Sequence, residues 1–318
     1  MDNLSLVLDS LRLSGAVFLQ GKFSSPWCIS SQVDAGDCEP FMAVPAHIIT
    51  YHLITEGKLE VSVDGNNPIT TQAGELIILP QNNPHLMGSD LSLNPMSASE
   101  LVQTVDGSSI GKMIYSGGGD EAKIVCGFLG TNERDNPLIC NLPPIIKLDL
   151  TDSNFGAWVK GSLKYALDEL IVGDASANTA LQKLAELLLS ESIRCYMREY
   201  GDVMQQWLKG LSDPYIGKAL ALIHSRLPYP WTLESLAREV GLSRSALSDR
   251  FSMYIGLPPI RYLNQRRLHV AADYLRDTKK QIGLIAQEVG YEAETAFSRA
   301  FKRELGASPL EYRKRYAS

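Results

Sequence analysis

The sequence lacks the features that mark secreted and membrane-spanning proteins. Only 5 of its 318 residues are cysteine, and they are scattered without a CxxC pair. An odd, dispersed set of cysteines is typical of reduced thiols in a cytoplasm rather than of a disulfide framework. No segment approaches the roughly 18 consecutive apolar residues of a membrane span. The acidic start MDNLSLVLDS also lacks the basic leader of a signal peptide. We therefore predict a cytoplasmic protein without a membrane partner.

Charge is unevenly distributed along the chain. The formal net charge is −6, but residues 213–318 hold 17 Lys and Arg against 11 Asp and Glu, whereas residues 1–212 hold 13 against 25. A basic C-terminal third on an acidic chain is typical of a module that binds a polyanion such as DNA. The length and the apolar content of 45% fit about two globular domains.

Short strand-like segments fill the N-terminal half. HIITYHLITEGKLEVSV at 47–63 is rich in β-branched and aromatic residues, and GELIILP at 74–80 precedes the polar loop QNNPH. This spacing predicts an all-β barrel or sandwich over residues 1–152. Residues 153–212 have a helical period and end in a linker. Their apolar stripe, which includes Ala185, Leu188 and Cys195, fits packing on the chain's own barrel or a dimer interface.

Two similar segments lie about 50 residues apart in the C-terminal third. They read SLAREVGLSRSALSDRF at 235–251 and LIAQEVGYEAETAFSRAF at 284–301. Four residues recur at a constant offset, namely Phe251, Gly256, Pro259 and Tyr262 as Phe301, Gly306, Pro309 and Tyr312. Each copy has the pattern of a helix-turn-helix, over 231–254 and 281–304, because Gly241 and Gly290 suit the left-handed turn that ends a first helix.

The second helix of each copy has an apolar side and a polar side. Leu247 with Phe251, and Phe297 with Phe301, are spaced to face the core. The polar sides are suited to base edges and phosphates in a major groove. The predicted DNA contacts are Arg244, Ser245, Ser248, Asp249 and Arg250 in the first unit, and Glu294, Thr295, Ser298, Arg299, Lys302 and Arg303 in the second.

Residues 213–318 resemble the DNA-binding domain of the AraC/XylS family of bacterial transcription regulators. The resemblance rests on LAREVGLSRSALSDRF, YLNQRRLHVAADYLRDT and IAQEVGYEAETAFSRAFKRELGASPLEYR. It implies that both units bind one face of double-stranded promoter DNA in successive major grooves, about 34 Å apart. A linker helix over 259–277 would hold them at that spacing. It also implies activation through contact with RNA polymerase.

Residues 1–152 resemble the cupin-like sensor domain of one branch of that family. The matching segments are SGAVFLQGKFSSPWCI, YHLITEGKLEVSVDG, AGELIILPQNNPHLM and IVCGFLG followed by NPLICNLPPIIKL. The expected fold is therefore a two-domain α+β protein: a cupin-like β-barrel with a helical dimerisation segment, then an all-α tandem helix-turn-helix domain. The resemblance implies a homodimer that senses an effector, which the sequence does not identify.

A metal site is a further hypothesis for the barrel. PQNNPH fits the second cupin motif with His85 at the histidine position, but Thr50 stands where the first motif has glutamate. His52 shares strand parity with position 50 and should point inward with His85. Two inward histidines, with Cys126 or Glu56, could hold Zn²⁺ or Ni²⁺. The alternative is that these histidines are hydrogen-bonded core residues.

Three functions follow from these patterns. The favoured hypothesis is a transcription regulator, an activator as the family resemblance implies, that responds to a small molecule, a metal or a redox signal and needs no catalysis. A redox pair would be Cys28 and Cys38, which lie close in sequence; buried, inert thiols are the alternative. The second hypothesis is a cupin-type metal-dependent enzyme fused to a DNA-binding module. The third is a regulator whose barrel only dimerises.

Overall fold

The computed structural model describes residues 3–8, 13–39, 41–104, 110–133, 136–151, 153–169, 175–201 and 205–316. The chain divides into two compact units. A β-rich unit comprises Leu13–Arg134 and Leu142–Tyr200, and a helical unit comprises Met1–Arg12, Asp135–Asn141 and Gly201–Ser318. The N-terminal helix α1 (Asn3–Leu8) therefore belongs to the helical unit, where it packs on α7 (Gln206–Ser212) and α8 (Pro214–Ser225).

The β-rich unit contains two sheets. Their strands are β1 (Leu13–Ser24), β2 (Cys28–Ser31), β3 (His47–Glu56), β4 (Lys58–Val63), β5 (Ile69–Gln72), β6 (Glu75–Leu79), β7 (His85–Gly88), β8 (Met96–Ser97), β9 (Val102–Thr104), β10 (Ile110–Ser116), β11 (Glu121–Thr131) and β12 (Ile146–Asp149). The described strands form a seven-stranded sheet in the order β12-β6-β3-β11-β1-β10-β9 and a five-stranded sheet in the order β5-β4-β7-β2-β8.

One apolar core joins the two sheets. It includes Phe23 and Ile54 from the larger sheet and Ile29, Val61 and Met87 from the smaller one, all 2% exposed or less. The strands that contribute them are rich in β-branched residues, which pack well on a pleated surface. The predicted β-rich, cupin-like N-terminal fold is confirmed, in the form of two sheets around a shared core.

Helices complete the β-rich unit: α2 (Ala35–Cys38), α3 (Ala98–Leu101), α5 (Asn154–Glu169) and α6 (Ala175–Glu199). Helix α6 packs on β1 and β12, and the Gln182 side chain donates a hydrogen bond to the Leu13 carbonyl at 2.8 Å. Ala185 and Leu188 are 0% and 5% exposed. The burial of these residues within their own unit supports internal packing, and the dimerisation role of this segment stays a prediction.

The helical unit continues with α4 (Pro137–Cys140), α9 (Leu233–Val240), α10 (Arg244–Ile255), α11 (Pro259–Asp277), α12 (Ile282–Glu288), α13 (Glu294–Leu305) and α14 (Pro309–Tyr316). The internal repeat has a structural counterpart. Phe251 and Tyr262 meet edge to face with ring centroids 5.6 Å apart, and Phe301 and Tyr312 do the same at 5.4 Å. Each aromatic pair fastens a second helix to the helix that follows it.

Membrane-spanning helices are not found in the part of the chain that the structure describes, because none of its helices is both long and apolar enough.

Candidate nucleic-acid interface and ligand pocket

The first helix-turn-helix consists of α9 and α10. Thr232 Oγ1 accepts from the Ser235 amide at 3.0 Å, and Ser235 Oγ accepts from the Thr232 amide at 2.9 Å, which caps α9 reciprocally. Gly241 ends that helix in the left-handed region at φ 84°, where glycine has no Cβ penalty. Ser243 then caps α10 by accepting from the Ala246 amide at 3.2 Å. These local contacts fix the turn as the sequence predicts.

The second helix-turn-helix consists of α12 and α13. Gly290 provides the turn at φ 90°, and the Tyr291 amide donates to the Ala286 carbonyl at 2.8 Å. Phe297 and Phe301 are completely buried and anchor α13 on the core formed with α11. The outer side of α13 is thereby held toward solvent.

The predicted DNA contacts lie mainly on exposed surfaces of α10 and α13. Ser248 and Ser298 are half-buried at matching positions of the two helices. The exposed members are Arg244, Ser245 and Asp249 on α10, and Glu294, Thr295, Arg299, Lys302 and Arg303 on α13. The Arg299 side chain folds back so that Nε donates to the Thr295 carbonyl at 3.3 Å. The structure therefore gives each helix an accessible polar side opposite its buried aromatic anchor.

Arg250 differs from the other predicted contacts because it is engaged inside the unit. Its Nε donates to Asp213 Oδ2 at 2.9 Å, and its guanidinium lies 5.3 Å from the Tyr215 ring centroid. Asp213 Oδ1 also caps α8 by accepting from the Tyr215 and Ile216 amides. Burial opposes the charged form of Asp213, but the bonds from Arg250 and the amides outweigh it and lower the pKa of the carboxyl. Arg250 therefore clamps α10 to α8.

Arg267, on the linker helix α11, is a residue that the sequence reasoning did not single out. It is 8% exposed, and it donates from Nε to the Leu227 carbonyl at 3.0 Å and from Nη2 to the Tyr229 carbonyl at 2.7 Å. A Cβ at Gly290 would lie 2.7 Å from both Arg267 Nη2 and the Pro228 carbonyl oxygen. Arg267 thus joins the loop before the first helix-turn-helix to the turn of the second. The signal in the sequence was its position, four residues from Leu263 and Ala271 on the apolar side of α11.

The β-rich unit contains a cavity of about 220 Å³. Its walls are mostly apolar, with Leu19, Ile29, Phe41, Met87 and Phe128 among the lining residues. Exposed Gln32 and Ser99 contribute to the lining, as do buried Thr50, His52 and Cys126. An apolar cavity with a few polar groups has the character of a small-molecule site.

His52 and His85 form a buried pair beside this cavity. Their Nε2 atoms are 2.9 Å apart, and His85 Nδ1 lies 2.9 Å from the Asn83 carbonyl oxygen. Burial lowers the pKa of both histidines, and the pKa of His52 falls further because His85 is adjacent. The prediction that these two side chains point inward together is in accord with this geometry.

The residues present do not fit the predicted Zn²⁺ or Ni²⁺ site. Cys126 is the cross-strand partner of His52, but burial raises the pKa of its thiol to about 12, which disfavours the thiolate that a metal needs. Glu56 is exposed and its Oε2 lies 2.8 Å from Lys123 Nζ. A register shift in the β3–β11 pairing, where Lys123 pairs with Glu56 but Ile124 with Ile54, breaks the strand parity before Glu56. Within the described ranges, no three His, Cys, Asp or Glu side chains are grouped to hold a metal ion.

The predicted redox pair has the properties of buried thiols. Cys28 and Cys38 are 1% and 0% exposed, and both thiols are free. Burial, and secondarily nearby aspartates, raises the pKa of Cys28 and raises that of Cys38 to about 11. Redox-sensing cysteines need accessible thiolate, so this environment disfavours the role.

Comparisons with known proteins agree with both parts of the chain. A family described as Cupin matches residues 2–198, and a helix-turn-helix domain family matches residues 236–315. The chain is 27% identical over 318 residues to the HTH-type transcriptional regulator AlkR of Acinetobacter baylyi, covering 98% of this chain and 99% of that protein. It is 24% identical over 316 residues to the HTH-type transcriptional regulator MtrA of Neisseria gonorrhoeae, covering 99% and 98%.

A further relative is the RCS-specific HTH-type transcriptional activator RclR of Escherichia coli, 24% identical over 277 residues, or 87% of this chain and 88% of that protein. The likeness to these regulators extends over nearly their whole length, so it includes the β-rich and the helical unit alike. With a cupin domain, paired helix-turn-helix units and relatives of this kind, the chain belongs to the AraC/XylS family of transcription regulators, in the branch with an N-terminal cupin-like domain.

Proposed function

We propose that the protein is a cytoplasmic, homodimeric transcription activator that binds promoter DNA in two successive major grooves. The observation that carries the proposal is the pair of exposed polar surfaces on α10 and α13, each braced from behind by a fully buried aromatic residue, Phe251 or Phe301. A helix held in this way suits insertion into a major groove. Joining two weakly binding helix-turn-helix units in one chain raises the affinity for DNA without new contacts.

Long basic side chains on α13 favour a division of roles between the two helix-turn-helix units. Arg299 is positioned to reach a guanine edge or a phosphate, whereas Lys302 and Arg303 serve the phosphates and the salt-dependent part of affinity. Helix α10 offers serines and Asp249 beside Arg244, so it reads through shorter or water-mediated contacts. Arg250 supports this surface from within the unit.

The β-rich unit acts as the sensor in this proposal. Its ligand is a small molecule bound in the cavity at Thr50 and His52, and binding must favour one arrangement of the protein over another to alter DNA binding. Activation is supported by the relative RclR, whose name describes a transcriptional activator. Contact with RNA polymerase is the route that we propose for it. The metal-dependent enzyme is the weaker candidate, because the cavity's histidine pair has neither Glu56 nor a thiolate beside it.

The test is selection of promoter fragments from the organism's own genomic DNA by the purified full chain, followed by footprinting. We expect a protected site with two contacts one helical turn apart. Arg299→Ala should weaken binding to that site by about tenfold or more, since a good base contact contributes about 1–3 kcal/mol. Arg226→Ala is the matched control, because it removes an exposed arginine at the end of α8 and should leave affinity unchanged.

Loss of preference for any fragment over bulk DNA would contradict the proposal. So would equal footprints from the wild type and Arg299→Ala, provided that circular dichroism shows the variant to be folded. The position and the number of protected DNA turns distinguish a protein that binds two successive major grooves from one that binds DNA by charge alone.

A further inference from the structure

Two buried polar atoms in the cavity lining have no hydrogen-bond partner among the residues that the structure describes. Thr50 and His52 line the cavity and are 1% and 3% exposed. Thr50 Oγ1 and His52 Nδ1 make no hydrogen bond to any residue that the structure describes. A buried polar atom without a partner is costly, and native proteins contain few of them. Both residues are otherwise covered, so a molecule inside the cavity is the partner best placed to satisfy them.

The neighbouring histidine determines which chemistry His52 Nδ1 offers. The Asn83 carbonyl can only accept, so His85 Nδ1 carries a proton and donates to it. His85 is neutral, and its Nε2 is therefore an acceptor. His52 Nε2 must carry the proton of the 2.9 Å bond between the rings. The remaining nitrogen, His52 Nδ1, is then an unprotonated acceptor, and a ligand that satisfies it must donate a hydrogen bond.

The described residues of the cavity lining include no cationic group that could neutralise an anion. Among these residues there is no lysine or arginine, and the single charged residue is Asp37. Burial, followed for His52 by the adjacent His85, lowers the pKa of the two histidines, so neither ring is cationic near neutral pH. A carboxylate has no proton to donate to Nδ1, so its charge would face the Nδ1 lone pair without a counter-charge, which is unfavourable.

The size of the cavity limits the rest of the ligand. A dry apolar cavity of about 150 Å³ accommodates benzene, so about 220 Å³ suits a molecule of roughly eight to ten non-hydrogen atoms. The walls formed by Ile29, Met87 and Phe128 favour an apolar body.

We propose that the effector is a small uncharged hydroxyl compound, an alkylphenol or an alcohol of similar size. Its hydroxyl donates to His52 Nδ1 and accepts from Thr50 Oγ1, and its body packs against the apolar walls. This inference rests on the proposed sensor role of the β-rich unit. It goes further in naming the chemical class of the ligand and the two atoms that recognise it.

Calorimetric titration of the full chain, without DNA, tests the inference with three probes that share a toluene body and differ in the para substituent. They are 4-methylphenol, p-xylene, in which a methyl group replaces the hydroxyl, and 4-methylbenzoate, which carries an anionic carboxylate. We expect 4-methylphenol to bind about tenfold to a hundredfold more tightly than p-xylene, because a site built for a hydroxyl rejects an analogue that lacks it. The carboxylate should bind most weakly.

Two variants locate the interaction. Thr50→Val removes the hydroxyl with little change of volume and should lower the affinity for 4-methylphenol severalfold while leaving that for p-xylene unchanged. Thr71→Val is the matched control, since Thr71 is also a buried threonine whose Oγ1 has no partner in the described structure but does not line the cavity. It should change neither affinity. In ¹⁵N spectra, the unprotonated Nδ1 of His52 should shift on addition of 4-methylphenol but not of p-xylene.

Equal affinity for 4-methylphenol and p-xylene would overturn the inference, and so would tightest binding of the carboxylate or binding of none of the probes. These outcomes are independent of the proposed function, because DNA is absent from the titration. A chain that selects a promoter but fails these tests remains a regulator with another effector. A chain that passes them but selects no promoter refutes the proposed function alone.

Discussion

At the scale of single residues, Asp213 does two things with one carboxylate. One oxygen caps α8 and the other accepts from Arg250 on α10. The Asp213 side chain is 3% exposed, whereas that of Arg250 is 41% exposed. Because water screens the arginine, the pair contributes less than a fully buried one. Its main effect is to fix where α10 lies on α8, which positions the exposed residues that we propose contact DNA.

Asp213→Ala should destabilise the helical unit by about 2 kcal/mol, since it removes a helix cap and a charged hydrogen bond together. Asp213→Asn, which keeps the cap, should cost about half as much. The pKa of Asp213 is lowered, so its stabilising effect is present above the ordinary aspartate pKa of about 3.9 and is lost as pH falls below it. Urea unfolding at pH 7 and at pH 3 measures the differences. Equal midpoints for the alanine variant and the wild type at pH 7 would refute the dual role.

At the scale of secondary-structure elements, Arg267 lies between the loop before the first helix-turn-helix unit and the turn of the second. Its guanidinium donates to two carbonyls of the loop before the first unit. The same guanidinium lies against Gly290 in the turn of the second unit. The close approach of Arg267 to Gly290 requires a residue without Cβ at position 290, and the backbone of Gly290 has a positive φ of 90°. We infer that this contact keeps α10 and α13 at a spacing that matches one turn of DNA.

Arg267→Met retains most of the aliphatic stem but removes both hydrogen bonds. We expect it to reduce affinity for the intact site by about tenfold, because simultaneous engagement depends on spacing, while each half-site alone binds as before. The wild type should discriminate strongly against operators with one base pair inserted between the half-sites, and the variant should discriminate less. Fluorescence anisotropy measures both effects with four DNA duplexes: the intact site, each of the two half-sites, and the site with one base pair inserted. Equal losses at half-sites and intact site would show a general folding defect instead.

The helix-turn-helix units could be predicted from the sequence because their signals are local. Gly241, Ser243 and the aromatic anchors act within one or two helical turns, and the repeat doubles the signal. Arg267 and Glu56 could not be placed in this way. The contacts of Arg267 lie about 40 residues away in the chain. The side of the strand that Glu56 occupies depends on a register shift between β3 and β11, which strand alternation does not reveal.

The placement of Thr50 and His52 in the cavity could be predicted from the sequence only in part. Strand parity puts both on one side of β3, and the second cupin motif brings in His85. Whether the unpartnered His52 Nδ1 is a donor or an acceptor, however, depends on the tautomer that the Asn83 carbonyl imposes on His85. That carbonyl lies in the loop between β6 and β7, so only the folded backbone could show which nitrogen of His52 has a free lone pair.

At the scale of the whole molecule, the proposals for the two units are linked by thermodynamics. If a hydroxyl compound in the cavity changes the affinity for promoter DNA by a given factor, promoter DNA must change the affinity for that compound by the same factor. Coupling between sites is typically worth about 1–3 kcal/mol, or roughly a fivefold to 150-fold change. The direction follows from which arrangement the ligand prefers, and for an activator both affinities should rise.

We therefore predict equal factors from two independent titrations. Fluorescence anisotropy gives the affinity for the selected promoter with and without saturating 4-methylphenol, and calorimetry gives the affinity for 4-methylphenol with and without saturating promoter. Thr50→Val at the same 4-methylphenol concentration should lose the effect on DNA binding while its affinity for promoter without ligand stays that of the wild type. If both factors equal one although both ligands bind, the cavity does not regulate DNA binding. The β-rich unit would then serve assembly alone, which is the third hypothesis that the sequence allows.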